Sequence, residues 1–203
     1  MATQPVGGWE WAFNSATPEA RMQAAEYAAA MVSEVSESMR IAIRNLIVRA
    51  FQEQIPGPIL VQRLQEIIGL DSRRAAALLN YRHELEMEGV IPRAQIDALC
   101  SKYSTKLIKQ RAIAIARTEI MRALNAGALE MYRQARLRGL ITDAAVKEWV
   151  ATADEVTCPE CGEDGLDGEV VQLDAAFSSG DLIPPAHPNC RCTFSVTEPL
   201  PPV

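Results

Sequence analysis

Four of the five cysteines fall in two tight pairs near the C-terminus, and their spacing dictates how the last third of the chain must fold. Cys158 and Cys161 form a C-x-x-C pair within Thr157-Cys158-Pro159-Glu160-Cys161-Gly162. Cys190 and Cys192 form a second pair within His187-Pro188-Asn189-Cys190-Arg191-Cys192. Zn²⁺ takes four soft or borderline ligands in a tetrahedron. One C-x-x-C turn aims two sulfurs at a point, and a second turn from a distant segment closes the site. Pro159 and Pro188 each stiffen a turn. Cys158, Cys161 and Cys190 are therefore expected as ligands of one structural zinc per chain. The fourth ligand is either His187, giving Cys₃His, or Cys192, giving Cys₄. Buried reduced thiols, or a disulfide formed after release from the cell, are the alternatives. A catalytic zinc would keep an open position, which four protein ligands do not leave.

Charge divides the chain unevenly. Residues 1–100 hold 9 basic and 12 acidic side chains, a net −3. Residues 101–140 hold 9 basic and 2 acidic, a net +7, and residues 141–203 hold 2 and 12, a net −10. The basic stretch and the acidic tail either dock on each other or meet other partners, nucleic acid among them. Apolar content is 48% but aromatics only 5%, so Ala, Leu, Ile and Met carry the core and favour helix. The N-terminus lacks the pattern of a signal peptide, and no apolar run approaches the ~20 residues of a membrane helix. A reducing cytoplasm is the expected site of synthesis, where cysteine pairs point to metal.

The expected fold is mainly α: a long-helix N-terminal bundle or arm, followed by a small zinc-stabilised α+β module. Residues 1–92 form the helical arm, 93–140 a basic helical segment, and 141–203 the cysteine-rich module with a Pro-rich tail. Residues 1–16, with Trp9, Trp11 and Phe13, are expected to be irregular. Thr17-Pro18-Glu19 is a helix start. Met22, Ala25, Ala29, Val32, Ser36, Met39, Ile43, Leu46 and Ala50 then form a coiled-coil-like seam, predicting one helix to about residue 54. Pro56-Gly57-Pro58 ends it. A short helix follows over 59–68, then one capped by Asp71 or Ser72 and stopped before Gly89. A further helical run, with an interruption near Ser101–Thr105, reaches Arg138. Strands are predicted at 149–152, 169–173 and 193–196, with Asp167-Gly168 as a hairpin turn.

Other polar candidates are weaker. Arg117 and Glu119 point to different sides of a helix, and with Thr118 they either clamp the C-terminal module or line a solvated face. Asp154 accepts hydrogen bonds from the metal turn or from Arg117, or simply makes a turn. Trp149 is expected in the module's core, Cys100 as a buried inert thiol and His83 on a helix surface. No Ser-His-Asp order, Gly-rich phosphate loop or H-E-x-x-H is present, and two histidines give acid–base catalysis little material.

The blocks RAIAIARTEIMRALNAG at 111–127, KEWVATADEVTCPECGEDGLDGEVVQLD at 147–174 and PPAHPNCRCTF at 184–194 together resemble the phage head morphogenesis family, the Mu F-like minor head proteins. The resemblance covers roughly residues 90–195. It implies a virion protein of the capsid interior, made in the host bacterial cytoplasm. Such a protein associates with the portal protein, acts in head assembly and DNA packaging or delivery, and is not an enzyme. Major capsid or scaffolding protein, packaged DNA and further copies of the chain are additional expected partners; a membrane is not. Carried over by position, the motif residues are Arg117, Thr118, Glu119, Trp149, Asp154, Cys158, Cys161, Gly168, His187, Pro188, Cys190, Arg191 and Cys192. The competing readings are a zinc-dependent nucleic-acid-binding protein and a small enzyme using Arg117, Glu119 and Asp154. The first would want basic side chains around the cysteines, where the module carries −10.

Overall fold

The structure is a computed structural model that describes residues 22, 28, 29, 31–152, 154, 155, 157–162 and 165–198. The aromatic arm at 1–16, the helix start at 17–19 and the tail beyond 198 lie outside them. Among the described residues the chain is mainly helical, with four helices and a small three-stranded sheet. In order these are α1 (Glu37–Gln52), α2 (Gly57–Ile67), α3 (Ser72–Met87), α4 (Arg93–Leu137), β1 (Val146–Val150), β2 (Val170–Gln172) and β3 (Thr193–Thr197). None of the helices is long and apolar enough to cross a membrane.

The spine is α4. Its 45 residues run about 67 Å at ~1.5 Å per residue. There is no interruption near Ser101–Thr105: Thr105 turns its hydroxyl back to Ser101 O and leaves the backbone ladder intact. Three cores are threaded on this one helix. Ile96 and Cys100 pack with Leu85 of α3. Ala112, Ile115 and Ala116 join Ile43, Ile47, Leu60 and Leu64 from α1 and α2. Ala126 and Leu129 enter the core of the C-terminal module beside Trp149, Leu173, Phe177 and Phe194.

The predicted long N-terminal helix is not continuous. Helix α1 begins at Glu37, with Ser36 as its N-cap accepting from Met39 N. Ala29 and Glu34 take φ values of 62° and 54°, which an α-helix cannot accommodate. Ala28, Ala29 and Val32 are buried all the same, in a non-helical strap. Its backbone is satisfied by distant side chains. Glu119 accepts from Ala29 N at 2.7 Å and Met31 N at 3.3 Å. Arg40 donates to Ala29 O and Val32 O, Arg44 to Ala28 O, and Arg111 to Ser33 O and Glu34 O. A seam of spacing 3 and 4 is equally served by a strap whose small residues face the same core.

The sheet has the order β2-β1-β3, antiparallel throughout. Trp149 pairs with Phe194, and the β1–β2 connection closes with Gly168 at φ 77° donating to Trp149 O. Strand alternation puts Lys147 on the same buried face as Trp149. Lys147 is fully buried, donates to Leu173 O at 2.7 Å and Ala175 O at 2.5 Å, and lies over the Phe177 ring. Burial pushes its ammonium down to about 8. The cost of holding that charge is therefore full below about pH 8 and fades as pH rises toward the unfolded value of about 10.4. Relative to Lys147→Met, the wild-type protein is expected to gain stability between about pH 8 and 10 in denaturant titrations. A difference that is flat over that window would show that Lys147 titrates normally.

Candidate metal centre

The two cysteine segments fold into matching turns. Cys161 N donates to Cys158 O at 3.1 Å, and Gly162 N to the same carbonyl at 2.9 Å. Cys190 N donates to His187 O at 3.2 Å, with Asn189 at φ 66°. Each turn so presents two donor side chains three residues apart. Cys158, Cys161 and His187 offer atoms within 4.8 Å of one another, and Cys161, Cys190 and Cys192 do likewise. Cys161, 2% exposed, belongs to both groups. His187 Nε2 lies 3.0 Å from Cys158 Sγ and 3.3 Å from Cys161 Sγ, and Cys161 Sγ lies 3.7 Å from Cys190 Sγ.

The donor chemistry fits a thiophilic metal ion. Burial, followed by the neighbouring thiols, pushes the Cys161 thiol up, and burial raises Cys192 as well. Sulfurs this crowded resist ionisation without a cation, and a bound divalent ion reverses that. The zinc–sulfur distance of about 2.3 Å sets the sulfur–sulfur edge of a tetrahedron at about 3.8 Å. The Cys161–Cys190 separation is already close to it.

The surroundings hold the turns in place. Asp154 grips the Arg191 guanidinium with both carboxylate oxygens, at 2.5 and 2.6 Å, and also accepts from Thr157 Oγ1. That fork links the entry of the first turn to the exit of the second. Its partner is Arg191, not Arg117. From α4, Thr118 Oγ1 accepts from Asn189 N at 2.8 Å and donates to Ala114 O. Thr118 thus fixes the second turn onto the spine.

The other motif residues have separate tasks. Glu119, 1% exposed, holds the N-terminal strap instead of the module. Burial pushes its carboxyl up, against the opposing pull of the Ala29 and Met31 amides. Arg117 is exposed on the far side of the helix. Arg117, Glu119 and Asp154 thus serve different neighbours and do not assemble as one acid–base group. Trp149 is fully buried at the centre of the module, as expected. Its indole N–H meets no hydrogen-bond acceptor among the described residues.

Asn125 was absent from the sequence candidates. It is 2% exposed, donates to Pro184 O at 3.0 Å and Cys192 O at 3.1 Å, and accepts from Thr193 Oγ1 at 2.8 Å. One clue was available: a lone amide on a helix face otherwise built from Ala123, Ala126 and Leu129. The acidic module also meets the basic helix directly, because Asp174 takes Arg133 at 2.7 Å and also Arg136.

Neither a curated protein nor a solved structure matches the chain. The sequence model described as phage Mu protein F like protein matches residues 42–195, a span from within α1 through the two cysteine turns to β3. The chain belongs to the phage Mu protein F like family.

Proposed function

We propose that the chain is a structural minor head protein of a tailed phage or prophage, bound to the portal inside the capsid. There it acts in head assembly and in packaging or delivery of DNA. The observation that carries this reading is the family match across residues 42–195. The family is one of phage head proteins, which favours a structural role over an enzymatic one. A structural zinc pins the C-terminal module, and α4 links that module rigidly to the N-terminal helices. Rigidity of this kind suits a part that must hold a fixed place among many identical subunits.

One face of α4 supports contact with packaged DNA. Arg111 is buried, and Arg133 and Arg136 are taken by Asp174. Lys102, Lys106, Lys109 and Arg117 remain exposed, with no ion pair among the described residues. Spaced along one flank of the helix, they would meet phosphates without reading sequence.

The test is co-expression with the portal protein of the same phage, followed by size-exclusion chromatography with mass determination and metal analysis. A defined complex carrying about one zinc per copy is expected. A chain that stays monomeric beside assembled portal would remove the portal reading. Lys102, Lys106 and Lys109 changed together to Glu should abolish low-salt DNA binding and leave the portal complex intact. The unchanged chain should lose affinity with salt at a slope of no more than about −4 for four phosphate contacts.

A further inference from the structure

We infer that the metal ligands are Cys158, Cys161, His187 through Nε2, and Cys190, and that Cys192 stays outside the coordination shell. The inference rests on the metal reading proposed above and names the ligand set of that site.

The first ground is the pair of turns. Cys158 to Cys161 and His187 to Cys190 have the same length and the same closing hydrogen bond from the fourth residue to the first. Donors at the first and fourth positions of each turn supply four ligands, the number a structural zinc takes. Cys192 belongs to neither turn. It directly precedes β3, where burial alternates as Cys192 in, Thr193 out, Phe194 in. That alternation turns its side chain to the same buried side as Phe194, in the cluster that also holds Cys161 and Cys190.

The second ground is the orientation of His187. Its Nδ1 lies 2.9 Å from Pro188 O. A carbonyl only accepts, so Nδ1 carries the proton and Nε2 presents its lone pair. That lone pair faces the Cys158 and Cys161 sulfurs. A ligating histidine whose other ring nitrogen is tied to a backbone carbonyl is the usual arrangement at a metal.

The third ground is what holds Cys192. Asn125 Nδ2 binds its carbonyl and so ties the Cys192 backbone to α4. Cys192 is therefore held through its backbone by α4, and its sulfur stands beside those of Cys161 and Cys190 as a neighbour of the site outside the two turns.

The test uses the full chain loaded with Zn²⁺ and, separately, with Co²⁺, whose absorption counts thiolate ligands. Cys192→Ala should bind one metal ion with affinity within a few-fold of wild type and an unchanged Co²⁺ spectrum. His187→Ala should lose at least ~10-fold in affinity, since removing a ligand costs no less than removing its outer-shell partner. His187→Cys, which restores a fourth donor, should recover binding and add one thiolate band. A tenfold loss in Cys192→Ala, or full affinity in His187→Ala, would overturn this ligand set and leave the metal reading standing. A wild-type chain that takes up no metal would remove both.

Discussion

Cys161→Ser is expected to empty the metal centre and unfold the C-terminal module while the N-terminal helices persist. Cys161 is the donor common to both thiol groups, and its sulfur has neighbours on both turns. Structural zinc sites supply an apparent ~10–16 kcal/mol in small folded units at neutral pH. The module's own apolar core is modest, built around Trp149, Leu173, Phe177, Ile183 and Phe194. Without the ion, the buried thiols remain crowded, and the solvent-facing Asp154–Arg191 fork is left to draw the two turns together. The core of α1, α2 and the middle of α4 is separate and should survive. Metal analysis should fall from about one ion per chain to near zero. Hydrogen exchange should then speed up across 146–197 and stay slow in 107–120. Slow exchange in both regions of a metal-free chain would show that the module stands on its core alone. Treatment of the wild type with a strong chelator should reproduce the pattern.

The second large effect belongs to a residue that binds no metal. Asn125→Ala is expected to cost about 3–5 kcal/mol, because it strands two buried carbonyls at ~1–3 kcal/mol each and leaves a small void. Pro184 O and Cys192 O have Asn125 Nδ2 as their donor, in a part of the core that water does not reach. At ~2–4 °C per kcal/mol for a chain of this size, the melting temperature should fall by roughly 10 °C. Thr118→Val removes the acceptor for Asn189 N and a second donor to the helix carbonyl Ala114 O, and should cost less, about 1–2 kcal/mol. The two residues lie on one face of α4 and hold the same loop from two sides. Their double variant should therefore be less destabilised than the sum of the two. A drop of under 2 °C for Asn125→Ala would mean that the loop finds other donors, and the docking would then rest on apolar contact.

These two predictions show where the sequence spoke clearly. The C-x-x-C turn, the caps at Asp71 and Gly139, the turn at Asp167-Gly168 and the central Trp149 follow from local rules acting over a few residues, although that turn lies within the long β1–β2 connection and makes no two-residue hairpin. So does the family, because its three motif blocks stand in order along the chain. The strap at 28, 29 and 31–36 was not legible. Its spacing matches a helix, and only the side chains of Arg40, Arg44, Arg111 and Glu119 reveal that its backbone bonds elsewhere. Asn125 and Lys147 were missed for a related reason. A polar residue in an apolar pattern signals burial, but its partners lie 26 to 68 residues away.

The sequence by itself determined which atoms could hold a metal and most of the stretches that become helix or strand. Both depend on residue type and short spacing. The tertiary structure decided which side chains do the holding. It divided the Arg117-Thr118-Glu119 triplet among solvent, the metal loop and the N-terminal strap, because neighbours on a helix point about 100° apart and meet different elements. It also gave Asp154 to Arg191, and Asp174 to the basic end of α4, through contacts that exist only once distant segments are packed together.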